Sequence, residues 1–559
     1  MFCIVFVGSF ETIREKDMKT KDLIAKKVRR EKAQERKNRN IQTAKKKQED
    51  ENQVVAYTIP TGFEQDVLEE ANRLPLGSIE HSEILRRRDM RDILTFTIDP
   101  DEAKDFDDAL SFQILDTGHY QIGIHIADVT YYVREQTALD DEAYERATSV
   151  YLVDRVIPML PERLSNELCS LRPEEDKLCM SVVVEMDAKA KVIRHKICRT
   201  VIRSNYRLTY RQAQDILDGV EGSRDVQLSE ALKVLNSLAK ELRNNRFRQG
   251  AINFESPEVH FRLDQQGEPT EIFFHSSLDT NHLIEEFMLL ANRIVATEIG
   301  RKKKEGNEQA KEPKPFVYRI HDNPDPEKIG KLSNFIKRFG LHLKISSNSK
   351  TTHKHINNLL SDCQGRACQT LVETLAIRSM AKAVYSTDNI GHYGLAFPYY
   401  THFTSPIRRY PDMMVHRLVS KYLLQSKALC RHDKEELEQA CVHCSDREYA
   451  AQSAERDSIK EMHARWISQH LGEEFDAIIS GVTEFGLFVQ LTDTLTEGLV
   501  PIRTIEKNDY MQFDEENYCL IAARSGKTYT LSDKVRVKVT KVDVERKLID
   551  FVLVEMEEK

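Results

Sequence analysis

The chain has 559 residues, with 82 Lys and Arg against 90 Asp and Glu and a hydrophobic fraction of 40%. That is material for roughly two to four domains with sizeable cores, and the formal net charge of -8 excludes a wholly basic nucleic-acid packager while leaving room for a local positive channel. No apolar run approaches the roughly 20 residues of a membrane span, and the opening MFCIVFVGSF lacks a basic leader region, so the expected location is cytoplasmic.

Residues 1–54 read as a basic helical or disordered extension, since 21–50 carry twelve Lys or Arg against five Asp or Glu with no Pro or Gly. Such an arm is either a solvated lead-in or a phosphate-attracting extension. In the connector 55–84, prolines bracket a short helix over about 64–71 in AYTIPTGFEQDVLEEANRLPLG. From residue 92 the pattern changes to short strands: ILTFTI, ALSFQIL, YQIGIHIADV, SVVVEM and VIRHKICRTVI. Helical periodicity takes over in 225–245, 281–304, 326–340, 365–388 and 411–427. The fold class is therefore α+β, with one large mixed domain over 85–425 that lacks the rhythm of a doubly wound sheet.

A helical connector over 426–469 follows. It holds the one close cysteine pair, Cys441 and Cys444, but no second pair completes a zinc site, and the flanks read as a polar helix. Residues 470–555 form a separate β unit with strands at FDAIISGV, GLFVQL, GLVPI, DKVRVKVTKVD and LIDFVLVEM. Five strands with the glycine-aromatic run GVTEFGLFV predict a small nucleic-acid-binding barrel, in which glycines permit tight bends and aromatics stack on bases.

The sharpest local feature is IDPDEAKDFDDA, which crowds Asp99, Asp101, Glu102, Asp105, Asp107 and Asp108 together. Like charges at this density are sensible where divalent cations neutralise them, and hard oxygen ligands without nearby His or Cys favour Mg²⁺ over zinc. That points to phosphodiester hydrolysis; taken alone, the cluster also fits a solvated acidic loop or a calcium site. The second candidate is THFTSPIRRYPD, where two prolines stiffen a segment carrying Arg408 and Arg409. A guanidinium fork there would clamp a phosphate, unless the arginines are simply held by neighbouring carboxylates.

Together the strings TIDPDEAKDFDDA, HIADVTYYV, SVYLVDRVIPMLPERLSNELCSL, RQGAINFES, LIEEFMLLAN, LAFPYYTHFTSPIRRYPD, GVTEFGLFV and LSDKVRVKV resemble the ribonuclease II and ribonuclease R family, most of all its bacterial ribonuclease R branch. The likeness runs from about residue 55 to 555. It implies an RNB-type catalytic domain followed by a five-stranded OB-fold (S1) barrel. It also implies a processive, hydrolytic exoribonuclease that works from a free 3′ end of single-stranded RNA and releases nucleoside 5′-monophosphates with one or two Mg²⁺ ions.

Carried over by motif, Asp99, Asp105, Asp107 and Asp108 hold the metal. Arg408 contacts the scissile phosphate, with Arg409 beside it. Tyr151 and Phe254 would sandwich the terminal base and Glu286 is assigned to the RNA channel; Phe485 and Phe488 are the expected RNA contacts of the barrel with Lys534, Arg536 and Lys538, unless those three merely alternate with Val535 and Val537 as in any half-exposed strand. A channel that takes one strand needs no second subunit, so a monomer is expected. Members of the family carry cold-shock barrels before the connector; residues 1–50 cannot form them, so a shortened front is expected, which bears on structured RNA rather than on the catalytic residues. The rivals are an RNA-binding protein without turnover, an exonuclease that also takes DNA, and an endonuclease.

Overall fold

The computed structural model describes residues 59–554, apart from 78, 221–224, 253–257, 302–313, 344–348, 367, 425–430, 507–508 and 516. The extension over 1–54 therefore lies outside the described residues. The alternating runs in the first half become one seven-stranded sheet, in spatial order Arg88–Asp89, Val192–Arg203, Asp176–Met186, Tyr120–Ala127, Asp108–Ile114, Thr95–Asp99 and Tyr206–Thr209. Its central strands are buried along most of their length: Phe96, Ile98, Leu110, Ile122, Ile124 and Ile126 are buried, and so are the polar Thr97, Ser111 and His125 that alternate with them. The helix Asp279–Gly300 covers one region of the sheet through Leu283, Phe287, Leu290 and Ile294, which recur at the spacing of one helical face.

A polar thread crosses this sheet. The ring nitrogens of His125 lie 2.8 Å from the hydroxyls of Ser181 and Ser111, and Ser181 lies 2.6 Å from the hydroxyl of Thr200. Every member of the thread is buried, so each hydrogen bond offsets the desolvation of its partners. Gly123 makes room for it, because a Cβ there would stand 2.3 Å from His125 Nε2.

Five strands near the end, Glu474–Thr483, Gly486–Leu491, Glu497–Pro501, Leu548–Val554 and Lys534–Asp543, close into a barrel in that order. Gly486 opens the second strand at φ +146, against Pro501, where a Cβ would meet the Val500 carbonyl at 2.1 Å. The barrel is fastened to the rest. The His463 ring, at the end of the 38-residue helix Arg431–Ser468, lies 2.8 Å from the Thr496 hydroxyl, and the Phe335 and Tyr518 rings meet edge-on at 5.0 Å. Cys441 and Cys444 are buried on that long helix. No helix among the described residues is long and apolar enough to cross a membrane.

Some elements depart from the sequence pattern. The helix expected over 365–388 runs only over Gln369–Ser379, since Met380 turns extended and Val384–Ser386 pairs with Tyr318–Ile320. A three-stranded sheet, Met511–Asp514, Cys519–Ala522 and Thr528–Thr530, is inserted between barrel strands.

Candidate active site

Asp99 ends the strand Thr95–Asp99, Asp108 begins the strand Asp108–Ile114, and the acidic turn joins them. Backbone bonds shape the turn. The Phe106 amide donates to Ser170 Oγ at 3.0 Å, the Ser170 hydroxyl donates to the Lys104 carbonyl at 2.7 Å, and the Leu171 amide donates to the Phe106 carbonyl at 2.9 Å. These bonds pin a bend that carries Asp107 inward. Asp107 is buried, and its Oδ1 accepts from the backbone amide of Ile407 at 2.9 Å. The acidic turn and the arginine segment are thus joined directly.

The four carboxylates share one electrostatic neighbourhood. Burial pushes Asp99 up to about 6, with Asp105 adding repulsion, and pushes Asp108 up to about 8, with Asp99 adding repulsion. Asp105 and Asp107 are also raised by burial, Asp107 strongly, and Arg408 pulls against the shift in both. Asp99 Oδ2 and Asp107 Oδ2 are buried without a hydrogen-bond partner. Among the described residues no group of three or more His, Cys, Asp or Glu is gathered closely enough to hold a metal ion. The donor set nevertheless suits a hard cation: it is all oxygen, desolvated, mutually repelling and left with unsatisfied acceptors.

Arg408 is 40% exposed at its side chain, with Nε 3.8 Å from Asp107 Oδ2 and Nη2 donating to Ser405 Oγ at 3.0 Å. Its own carbonyl accepts from the Ser149 amide at 3.0 Å and from the Thr148 hydroxyl at 3.2 Å. That places the Arg408 backbone beside the hairpin Val150–Tyr151 and Val156–Ile157. Tyr151 is 38% exposed, and its hydroxyl, pushed up to about 12 by burial, senses Arg408, Asp105 and Asp107. Tyr151, Arg408 and the acidic turn therefore converge.

Arg409 is different. It donates from Nη2 to buried Asp412 Oδ1 at 2.8 Å, and the same oxygen accepts from the Ser405 amide at 2.8 Å, so this pair ties down the loop. Glu286 is only 3% exposed, and Arg246 Nε donates to it at 3.0 Å; its carboxylate is occupied within the protein rather than turned to solvent. Phe254 lies outside the described residues. Phe485 and Phe488 are 68% and 37% exposed on the barrel, while Arg536, on the strand Lys534–Asp543, is paired with Glu474 and Asp476, each at 3.2 Å.

Two side chains of the site escaped the sequence reading. Tyr210, at the start of the helix Tyr210–Asp218, is raised by burial and senses Asp108, Asp99 and Arg408. Arg207 donates to the carbonyls of Pro100 and Asp101 in the acidic turn. The RLTY string holding both reads as an ordinary strand end, and only the parallel pairing with Thr95–Asp99 brings it to the carboxylates.

A buried carboxylate cluster facing an arginine loop, in a mixed domain followed by a barrel, matches the RNB domain family over residues 87–425 and the S1 RNA binding domain family over 468–553. Ribonuclease R of Aquifex aeolicus is 41% identical over 505 residues, covering 90% of this chain and 70% of that protein. Ribonuclease R of Thermotoga maritima is 41% identical over 507 residues, 89% of this chain and 69% of its own. Among solved structures, Mycoplasma genitalium ribonuclease R in complex with ribose-methylated single-stranded RNA superposes with a TM-score of 0.82 at 26% identity, covering 90% of this chain and 77% of that one. The chain belongs to the ribonuclease R family of RNB-domain proteins.

Proposed function

We propose that this protein is a Mg²⁺-dependent, processive exoribonuclease that hydrolyses single-stranded RNA from the 3′ end and releases nucleoside 5′-monophosphates. The observation that carries this reading is the pair of buried, unsatisfied carboxylate oxygens on Asp99 and Asp107 beside Arg408. Asp99, Asp105, Asp107 and Asp108 would hold the metal. When bound, divalent cations neutralise phosphate charge and lower the pKa of water so that it attacks phosphorus.

The protein's own groups do the positioning. Arg408, stiffened by the Ser149, Thr148 and Ser405 contacts, meets the nonbridging oxygens of the terminal phosphate, where charge grows during attack. Tyr151 offers an exposed ring on which any base stacks, so cleavage needs no sequence; Phe254 is the proposed second ring. The barrel is read as an OB-type S1 fold whose Phe485 and Phe488 hold the incoming strand. The RNA-bound Mycoplasma genitalium relative supports RNA as the ligand.

An RNA labelled at its 3′ end should release labelled mononucleotide from the first turnover with Mg²⁺. The same RNA labelled at its 5′ end should keep its label on a shrinking core. Tight binding without product, or internal fragments, would overturn the reading.

A further inference from the structure

Arg207 lies on the short strand Tyr206–Thr209, whose parallel register sets it opposite Thr97 and sets Thr209 opposite Asp99. Side chains two apart on a strand share a face, so Arg207 leaves the sheet on the side from which Asp99 projects. From there its Nη2 donates to the carbonyls of Pro100 at 2.6 Å and Asp101 at 2.9 Å. Its guanidinium carbon also stands 5.5 Å from the centre of the Phe106 ring. Pro100 and Asp101 open the acidic turn, and Phe106 lies between Asp105 and Asp107 near its close.

From this arrangement we infer that Arg207 is a positioning residue of the acidic turn, holding its beginning to its end so that the four carboxylates stay in one neighbourhood that a divalent cation can draw together. The inference rests on reading that quartet as the metal-binding centre. The physical need is clear: six acidic side chains on one short turn repel one another, and charge repulsion alone would open the loop toward water. Both hydrogen bonds of Arg207 go to backbone carbonyls, so they fix the path of the chain without consuming a carboxylate. One nitrogen of the guanidinium serves both carbonyls while the rest of its plane reaches the Phe106 ring, a span a single ammonium nitrogen lacks.

The test uses the full chain with Arg207→Met, Arg207→Lys and, as a control, Arg203→Gln, whose partner is Asp176 at a distance from the turn. Mn²⁺ binding is measured by calorimetry, the half-saturating Mg²⁺ and the KM for RNA by hydrolysis of labelled single strands, and unfolding by melting in EDTA. Arg207→Met should weaken Mn²⁺ binding and raise the half-saturating Mg²⁺ by about tenfold or more, the scale for residues that orient metal ligands. KM for RNA and the melting temperature should stay put, Arg207→Lys should recover part of the loss, and Arg203→Gln should change nothing. Unaltered Mn²⁺ affinity in Arg207→Met, or a loss that follows a fall in melting temperature, overturns the inference. If wild-type protein binds Mn²⁺ but cleaves no RNA, the proposed activity fails while calorimetry still judges Arg207.

Discussion

The acidic turn and the barrel face solve opposite problems with charge. In the turn, carboxylates are buried beside one another, two of their oxygens lack partners, and the backbone is pinned by Ser170, Ile407 and Arg207. On the barrel, Phe485 and Phe488 stand in solvent and Arg536 is already matched by Glu474 and Asp476. Buried, mutually repelling carboxylates with open acceptors are what a cation could complete, which is why the proposed chemistry is placed at the turn. The barrel face, with exposed rings and the Arg536 charge already paired, is suited to interchangeable contacts.

That contrast is broken most directly by Asp107→Asn. Hydrolysis of labelled RNA should fall at least about a hundredfold, while the melting temperature in EDTA should not fall, because a neutral amide replaces a carboxyl that burial disfavours in its charged form and its oxygen still accepts from Ile407. Normal cleavage by this variant would erase the distinction between the two regions.

Next comes Asp412→Ala. It strips the partner from Arg409 and the acceptor from Ser405, and removal of one member of a buried ion pair costs about 3–5 kcal/mol. Denaturant titration should show that loss.

A smaller effect is expected from pH. Asp99 and Asp108 are raised to about 6 and about 8, so the stability tied to their protonated forms is full below the ordinary 3.8 and is lost as pH climbs through those values. His125 and His392 are lowered by burial to about 3 and His463 to about 4, so the unfolded chain takes their protons first, and stability falls as pH drops below the ordinary 6.5. Without metal the protein should thus melt lower at both extremes, and Mg²⁺ should raise the melting temperature more at pH 8 than at pH 5. An equal Mg²⁺ shift at both pH values would count against the quartet as its site.

On the barrel the effects should be gentler. Phe488→Ala should weaken single-strand binding by about 1–3 kcal/mol, the scale of one stacked base, with turnover at saturating RNA preserved. Smallest of all, Arg536→Gln should change stability by less than about 1 kcal/mol, since its pairs are exposed.

Legibility in the sequence followed locality. The barrel strands could be read because alternation and glycines mark them within a few residues, as in GLFVQL and Gly486–Leu491. The inserted sheet could not, since its strands span only three or four residues. The acidic quartet was visible for the same reason as the barrel: its members lie side by side in the chain. Arg207 and Tyr210 gain their meaning only from distant partners. Glu286 shows the limit well, because a polar position on a helix gives no hint that Arg246, 40 residues upstream, will neutralise it in the interior.

The bond between Ile407 and Asp107 spans 300 residues of sequence. A growing polypeptide therefore exposes the acidic segment long before the ribosome has made the arginine loop that completes it. The turn can take its final shape only once the arginine loop has been made, so its completion waits on long-range folding rather than on local sequence.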